Sequence, residues 1–437
     1  MTKQLLVTLL AAPVLCGISA AQQREAYEDE PINYSTASPH DSISSLQKRI
    51  AAGELTLGRT GRELVLALLG ELRIPSESQV LVFSKTSLQR ARISPDRPRA
   101  IYFTDTCYLG WVPAGLVEIT TIDPVLGPIF YAFNPEAART NNAACVTRDS
   151  DCMRCHGGTF VRGIPGVFVR SAFTDAEGEP LLRYGSEVVD FRTPFTNRWG
   201  GWYVTGKHGA ALHRGNVTVT EKNDRLESDF QRGANITDLS KFFDPTLYVT
   251  NTSDIVALLV LEHQTAMQNA LTKASLDSRR MLAYQNNLQR DLKEPITEDA
   301  VYDSVKSVLD SSARDVVDTL LFRGEAELPA GLEGSVNFQH AFQANARRTS
   351  DGTSLKDFLL QGHLFKNRCS YLIYSDSLLS LPSQLKRRIY DRLSHALRLG
   401  APDPRYAYLD EAECDRIIEI LRQTHPEFPA APSAKGS

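Results

Sequence analysis

Two cysteines and a histidine in the segment "DCMRCHGG" are the residues best placed to do chemistry. Cys152 and Cys155 are three positions apart, and His156 follows directly. Two thiols at this spacing can form thioether bonds to the vinyl groups of a porphyrin, and the adjoining imidazole can be the proximal ligand of its iron. The motif therefore predicts one covalent c-type haem, attached to Cys152 and Cys155, with His156 as the iron ligand.

Three other interpretations of this motif fit the sequence less well. A structural zinc site needs a second cysteine or histidine pair, and Cys107 and Cys145 stand singly. A thioredoxin-like dithiol should open a helix, and the residues after His156 are Gly-Gly-Thr-Phe. An accidental C-x-x-C-H is expected on the order of once in several hundred chains of this composition. Covalent haem is therefore the preferred interpretation.

The second axial position decides what a haem does. The candidates for a distal ligand, or for a distal base, are His208, His213 and His263. The first two lie in a glycine-rich segment with Trp199 and Trp202, where glycine permits close approach and tryptophan can pack on a flat macrocycle. His263 falls on the apolar face of a predicted helix. Each of the three also fits the role of a hydrogen-bonded structural histidine.

Two arginines follow the motif closely. Arg162 and Arg170 are candidates to pair with haem propionates, because a guanidinium donates two parallel hydrogen bonds to a carboxylate. An ordinary surface role is the competing interpretation for both.

The surrounding sequence predicts an α+β fold. Short β-branched and aromatic runs separated by turn residues indicate strands, and the motif lies in an irregular connection between "FYAF" and "GVFVRS". Helical patterns precede this region and follow it, including "SLKDFLLQGHLF" and a long helix capped by Thr252 or Ser253 and ending near Pro295. A β-rich haem-bearing region followed by an α-helical C-terminal region is not a class I cytochrome c fold, which is small and helical.

The predicted division of the chain follows these changes between helical and strand-like residue patterns. It comprises a signal peptide (1–21), a flexible leader with N-terminal helices (22–77), a β-rich c-type haem domain (78–250), a helical domain (251–425) and a disordered tail (426–437).

The N-terminus predicts export. Lys3 precedes an apolar run from Leu5 to Ile18, and small residues end it before a cleavage point near Ala21. We expect a periplasmic protein, where c-type haem is attached. No other segment approaches ~18 consecutive apolar residues, so no membrane span is predicted in the mature chain.

Composition gives weaker constraints. The 437 residues are 42% apolar and 23% charged with a net charge of −4, which is ordinary for a globular protein and gives no indication of nucleic-acid binding. Four further cysteines remain in the mature chain, and disulfides and separate buried thiols are both open for them. They are Cys107, Cys145, Cys369 and Cys414.

Several segments together resemble a known group of proteins. They are "DTCYLGWVPAG", "CMRCHGG", "RWGGWYVTGKHG", "HRGN", "VLEHQTAMQN" and "LFKNRCSYLIYS". The chain resembles, from about Ala100 to Thr424, exported bacterial cytochrome c domain-containing proteins of the planctomycete type. The resemblance implies haem on Cys152 and Cys155 with iron on His156, and it implies no particular reaction.

The expected function is electron transfer by a periplasmic monohaem c-type cytochrome, with a redox protein or a small-molecule electron donor or acceptor as its partner. A haem enzyme, such as a peroxidase-like oxidoreductase with an open sixth iron position, is the alternative. A haem-based sensor or docking subunit is a third possibility.

Overall fold

The protein is described here by a computed structural model that covers residues 25–55, 57, 61–134, 145–296, 301–399, 401 and 403–428. The predicted signal peptide, and residues 429–437 of the predicted tail, lie outside the described residues. The fold is α+β, as the sequence predicts, with antiparallel sheets in the first part and mainly helices in the second.

The helices and strands follow the chain in this order. The described helices are α1 (Ser42–Ala51), α2 (Gly61–Glu71), α3 (Met153–His156), α4 (Ile255–Leu292), α5 (Asp303–Leu320), α6 (Val336–Gln343), α7 (Asp376–Leu379), α8 (Ser383–Ala396) and α9 (Glu411–Thr424). The described strands are β1 (Val80–Val82), β2 (Arg99–Phe103), β3 (Cys107–Trp111), β4 (Val117–Asp123), β5 (Gly127–Phe133), β6 (Val146–Arg148), β7 (Val169–Ala172), β8 (Ser186–Val189), β9 (Trp202–Tyr203), β10 (Lys207–His208), β11 (Thr220–Lys222), β12 (Arg225–Glu227), β13 (Leu332–Glu333), β14 (Phe358–Gln361) and β15 (His363–Phe365).

The main sheet has seven antiparallel strands in the order β6-β5-β4-β3-β2-β1-β9. Strand β4 alternates buried and half-buried residues, which is the period-two pattern of a sheet with unequal faces. One face packs with α1 and α2, because Ile119 of β4 belongs to the same core cluster as Leu46 of α1 and Leu68 of α2. Phe130, on the opposite face, belongs to a second cluster with α4. The motif connection leaves the sheet at β6.

Helix α4 is the central element of the fold. The Asp254 carboxylate caps it by accepting hydrogen bonds from the amides of Val256 and Ala257, both at 3.0 Å. The predicted caps, Thr252 and Ser253, precede this position. At the other end Lys293 has a φ of +56°, which ends the helix two residues before Pro295.

The predicted border at residue 250 does not separate two cores. Val80 and Phe130 of the sheet share one apolar cluster with Leu258 of α4 and Leu320 of α5. The β-rich and helical regions are therefore packed around a common interior.

The described part of the predicted flexible leader is packed, and that expectation is wrong for it. Tyr27, Ile32 and Tyr34 are buried, and the Tyr34 hydroxyl donates to the Pro128 carbonyl oxygen at 2.6 Å. At the other end Phe428, in the predicted tail, is buried too. Large apolar side chains give both segments a place in the core.

One predicted helix is a β-hairpin. The segment "SLKDFLLQGHLF" forms β14 and β15, with Phe358 paired to Phe365. Leu360 and Gly362 have φ values of +59° and +71°, which interrupt a helix and make the turn. Among the described residues, none of the helices combines the length and apolar character that crossing a membrane requires.

Candidate haem-attachment site

The cysteine motif forms a single short helical segment. A 3-10 turn over Ser150–Cys152 runs directly into α3, and the Asp149 carboxylate accepts from the Asp151 amide at 2.9 Å to start it. Residues three apart on a helix lie on neighbouring positions of one side. Cys152 is partly exposed and Cys155 is exposed, and both are free thiols. Two adjacent, accessible thiols are what attachment of a macrocycle requires.

The ring of His156 is fixed in a defined tautomer. Its Nδ1 lies 2.8 Å from the carbonyl oxygen of Gly166, so Nδ1 carries the hydrogen and Nε2 keeps its lone pair. The ring packs between Phe130 and Phe168, at centroid distances of 4.5 and 5.2 Å. Burial lowers the pKa of His156 to about 4. A neutral imidazole oriented by a backbone carbonyl is the usual form of a metal-ligating histidine.

The loop after His156 is closed on itself and tied to α4. The Gly166 amide donates to the His156 carbonyl oxygen at 2.8 Å, which closes the loop. Asn269 of α4 accepts from the Val167 amide at 3.0 Å and donates to the Val167 carbonyl oxygen at 2.7 Å. This pair of bonds fixes the backbone next to the Gly166 carbonyl. The position of the His156 ring therefore depends on α4.

Two glycines of this region are needed for close approach. A Cβ at Gly166 would lie 2.7 Å from the Cβ of Val161 and 2.9 Å from Oδ1 of Asn269. A Cβ at Gly157, directly after the motif histidine, would lie 2.6 Å from the Tyr27 hydroxyl. The N-terminal segment thus packs against the motif.

Arg170 has unused hydrogen-bonding capacity beside the motif. One guanidinium nitrogen donates to the Ser186 hydroxyl at 2.8 Å, and the group lies 4.7 Å from the ring centre of Phe160. Its Nε hydrogen is buried without an acceptor in the described part of the chain. Burial lowers the pKa of Arg170, and the neighbouring Cys155 thiol opposes that shift.

Arg99 is a second arginine at the site, and no sequence pattern indicates it. It pairs with Glu118 at 2.5 Å, while its Nε is buried without a hydrogen-bond partner among the described residues. It acts on the motif electrostatically, because it helps to lower the pKa of His156 and offsets part of the rise that burial gives the pKa of Cys152. Arg162, the other predicted arginine, is exposed and enters no described ion pair.

Two of the predicted distal histidines lie together. The rings of His208 and His213 are 4.6 Å apart and pack with Phe195. His208 uses both ring nitrogens, with Nδ1 at 2.8 Å from the Ala211 carbonyl oxygen and Nε2 accepting from the Asn235 amide at 2.9 Å. Neither ring contacts His156 in the described structure.

His213 is also buried, and it has one unpartnered ring nitrogen. Its Nδ1 accepts from the Gly215 amide at 3.0 Å, and its Nε2 has no partner in the described part of the chain. Its ring lies 5.0 Å from that of Trp199, and burial lowers the pKa of His213 to about 3. Trp202 instead donates from its indole nitrogen to the Arg170 carbonyl oxygen at 2.7 Å, next to the motif.

His263 has a separate environment. Its Nε2 lies 2.7 Å from the Ser370 hydroxyl, and its ring stacks on Phe322 at 4.0 Å. Burial lowers the pKa of His263 to about 3. His208 and His213 therefore share one environment, and His263 lies in another.

The donor set fits a haem better than a chelated ion. In the part of the chain that the structure describes, no three histidine, cysteine or acidic side chains are arranged to hold one metal ion. Cys152, Cys155 and His156 are adjacent without converging on one point. A c-type porphyrin uses two thiols and one imidazole at three separate positions, and carboxylate groups on its rim would suit the spare N–H groups of Arg99 and Arg170.

The four other cysteines that the structure describes lie in the protein interior. All four are free, buried thiols, so separate thiols and not disulfides are found at these positions. Burial raises the pKa of Cys107 to about 12, so this group stays a neutral thiol.

A cleft of about 570 Å³ adjoins the loop that follows the motif. Phe168, which packs on His156, lines it, and Phe160 stacks on Phe168 at 5.5 Å. His156 itself is not among the lining residues. One aromatic ring thus separates the imidazole from this space.

Comparison with known proteins gives no match to a family model, to a curated protein or to a solved structure. The fold and the site define the chain as an α+β protein with a candidate haem-attachment motif on a helical turn.

Proposed function

We propose that this chain is an exported monohaem c-type cytochrome that takes part in electron transfer. Cys152 and Cys155 carry the thioether bonds of one haem c, and Nε2 of His156 ligates the iron. The observation that supports this most directly is the hydrogen bond from Nδ1 of His156 to the Gly166 carbonyl, next to two accessible thiols. The sequence resemblance to exported cytochrome c domain-containing proteins points the same way.

The surrounding residues have defined roles in this proposal. The bound haem would supply a one-electron couple between ferric and ferrous iron. Arg170 and Arg99, whose Nε hydrogens have no acceptor in the described part of the chain, would hold its carboxylates. Asn269 and Gly166 hold the imidazole in place, which keeps structural change on electron transfer small.

Haem attachment is tested by maturing the full chain with the cytochrome c assembly machinery. We expect a pyridine haemochrome spectrum and a mass increase equal to one haem. Cys152→Ala and Cys155→Ala should each lose one thioether and lower haem content, whereas the matched control Cys414→Ala should retain full content. Processed protein without the added mass would refute the proposal.

A haem enzyme with an open sixth iron position is the second candidate. It is favoured by His208, whose two ring nitrogens are both engaged with other groups, whereas Nε2 of His213 is unpartnered among the described residues and remains a candidate distal ligand. A ferric high-spin spectrum that shifts on addition of cyanide would support this candidate. A low-spin spectrum unaffected by cyanide would support electron transfer alone.

A further inference from the structure

The cleft beside the motif loop has the size of a small-molecule site. Its volume of about 570 Å³ falls within the range of roughly 300–1,000 Å³ typical of ligand pockets. It lies between α4, α5 and the loop that follows His156. Phe160, Ile164, Phe168 and Val188 form an apolar wall, in which two of the four side chains are aromatic. Such a wall suits a flat aromatic ligand.

Most charges that line the cleft are neutralised. Asp190 pairs with Arg192 at 2.8 Å, and Lys273 pairs with Asp277. Asp318 is held by Arg405, which is outside the lining, at 2.5 Å. These carboxylates therefore add little negative potential to the cleft.

Two cations of the lining have no carboxylate partner at ion-pair distance among the described residues, although Arg323 is near enough to Asp318 to help Arg405 lower the pKa of that carboxyl. Arg323 has its Nε buried without an acceptor, and neither Arg323 nor Arg162 enters a described ion pair. Asp315, the remaining carboxylate, is 54% exposed and lies 4.0 Å from Arg314, so solvent screens it. A buried guanidinium hydrogen without a partner favours a ligand that brings an acceptor, and an anionic one most of all.

We propose that this cleft binds a small aromatic anion, a flat ring system bearing a carboxylate or sulfonate group. The ring lies along the wall of Phe160 and Phe168, and the anionic group pairs with Arg323. Because Phe168 also contacts His156, the same ligand would lie next to the proposed haem. The ligand could then donate electrons to the haem or accept them from it, and this role rests on the proposed function. The binding of the ligand to the cleft does not depend on that function.

The test uses the mature full chain and anthraquinone sulfonate as the probe, with affinity measured by isothermal titration calorimetry. Ala270→Trp fills the cleft from α4, and we expect it to weaken binding by about tenfold or more. Arg323→Gln removes the charge-assisted bond and should weaken binding by about tenfold. Ala412→Trp and Arg290→Gln make the same substitutions at exposed helical positions outside the cleft and should leave affinity unchanged.

A neutral hydroxymethyl anthraquinone separates charge from shape. Its affinity should fall in Ala270→Trp and stay constant in Arg323→Gln. The proposal is overturned by absence of saturable probe binding, by full binding in Ala270→Trp, or by equal losses of both probes in Arg323→Gln. A chain that carries haem and does not bind the probe overturns this inference alone. A chain that binds the probe and lacks covalent haem overturns the proposed function alone.

Discussion

Asn269 offers the sharpest test of how the site is held together. Its side chain makes two hydrogen bonds to the backbone of Val167, and Val167 is 6% exposed. In Asn269→Ala, the Val167 amide and carbonyl both lose their partner. A buried group left without a partner costs roughly 1–3 kcal/mol. Because Asn269 is only half-buried, water can reach the site, and we expect a loss of about 2 kcal/mol.

The assay is urea unfolding followed by far-ultraviolet circular dichroism, with the denaturant slope compared between variants. Asn287→Ala is the matched control, because Asn287 lies on the same helix and its bond from Arg290 is exposed. It should change the free energy of unfolding by less than about 0.5 kcal/mol. Equal losses of unfolding free energy in Asn269→Ala and Asn287→Ala would refute the idea that Asn269 anchors the motif loop.

Asn269→Ala also has a local consequence that separates anchoring from general stability. Release of Val167 loosens the Gly166 carbonyl, which orients the His156 ring. Amide hydrogen exchange in the loop should therefore quicken well before global unfolding. Exchange that quickens only in step with global stability would contradict a local role.

Three further perturbations test other parts of the structure. Gly166→Ala forces a methyl group against Val161 and should cost about 2 kcal/mol in urea unfolding. Asp105→Ala leaves Lys356, which is 5% exposed, without its partner carboxylate and should cost about 3 kcal/mol by the same measurement. Burial lowers the pKa of His263 to about 3 from 6.5, so the stability that its neutral ring gives is present above pH 6.5 and is lost as pH falls towards the folded value. His263→Gln should reduce the acid dependence of unfolding free energy by roughly 1.4 kcal/mol per pH unit between about pH 6 and pH 4, measured by urea titrations at several pH values.

Local sequence patterns predicted most of the elements. The alternation of Val117–Asp123 and the long run of helix formers in Ile255–Leu292 are recognisable without tertiary information. The helix predicted over Phe358–Phe365 is wrong, because the leucines of this segment also fit a helical period. The positive φ at Leu360 depends on packing, which no residue preference of leucine indicates.

The candidate site was predictable only in its covalent part. The spacing of Cys152, Cys155 and His156 is a local feature, so the sequence alone identifies it. The support for that feature is non-local. Asn269 is 102 residues from Val167 in the chain, and Arg99 reaches the motif from another strand of the sheet. Such contacts follow from the fold, and a single sequence does not encode them in any spacing.

The polar side chains that α4 directs at the sheet and at the motif loop explain why a four-residue helix can be a precise site. A buried helix face is normally apolar, yet Gln264 donates to the Thr104 carbonyl oxygen at 2.7 Å and Asn269 bonds Val167. The first bond fixes α4 to the turn between β2 and β3, and the second fixes it to the motif loop. The His156 ring contacts Phe130 of the sheet and Phe168 of that loop, and α4 is bonded to both the sheet and the loop. A shift of α4 by one residue would break both bonds together. The same helix that closes the core therefore also determines where the His156 imidazole lies.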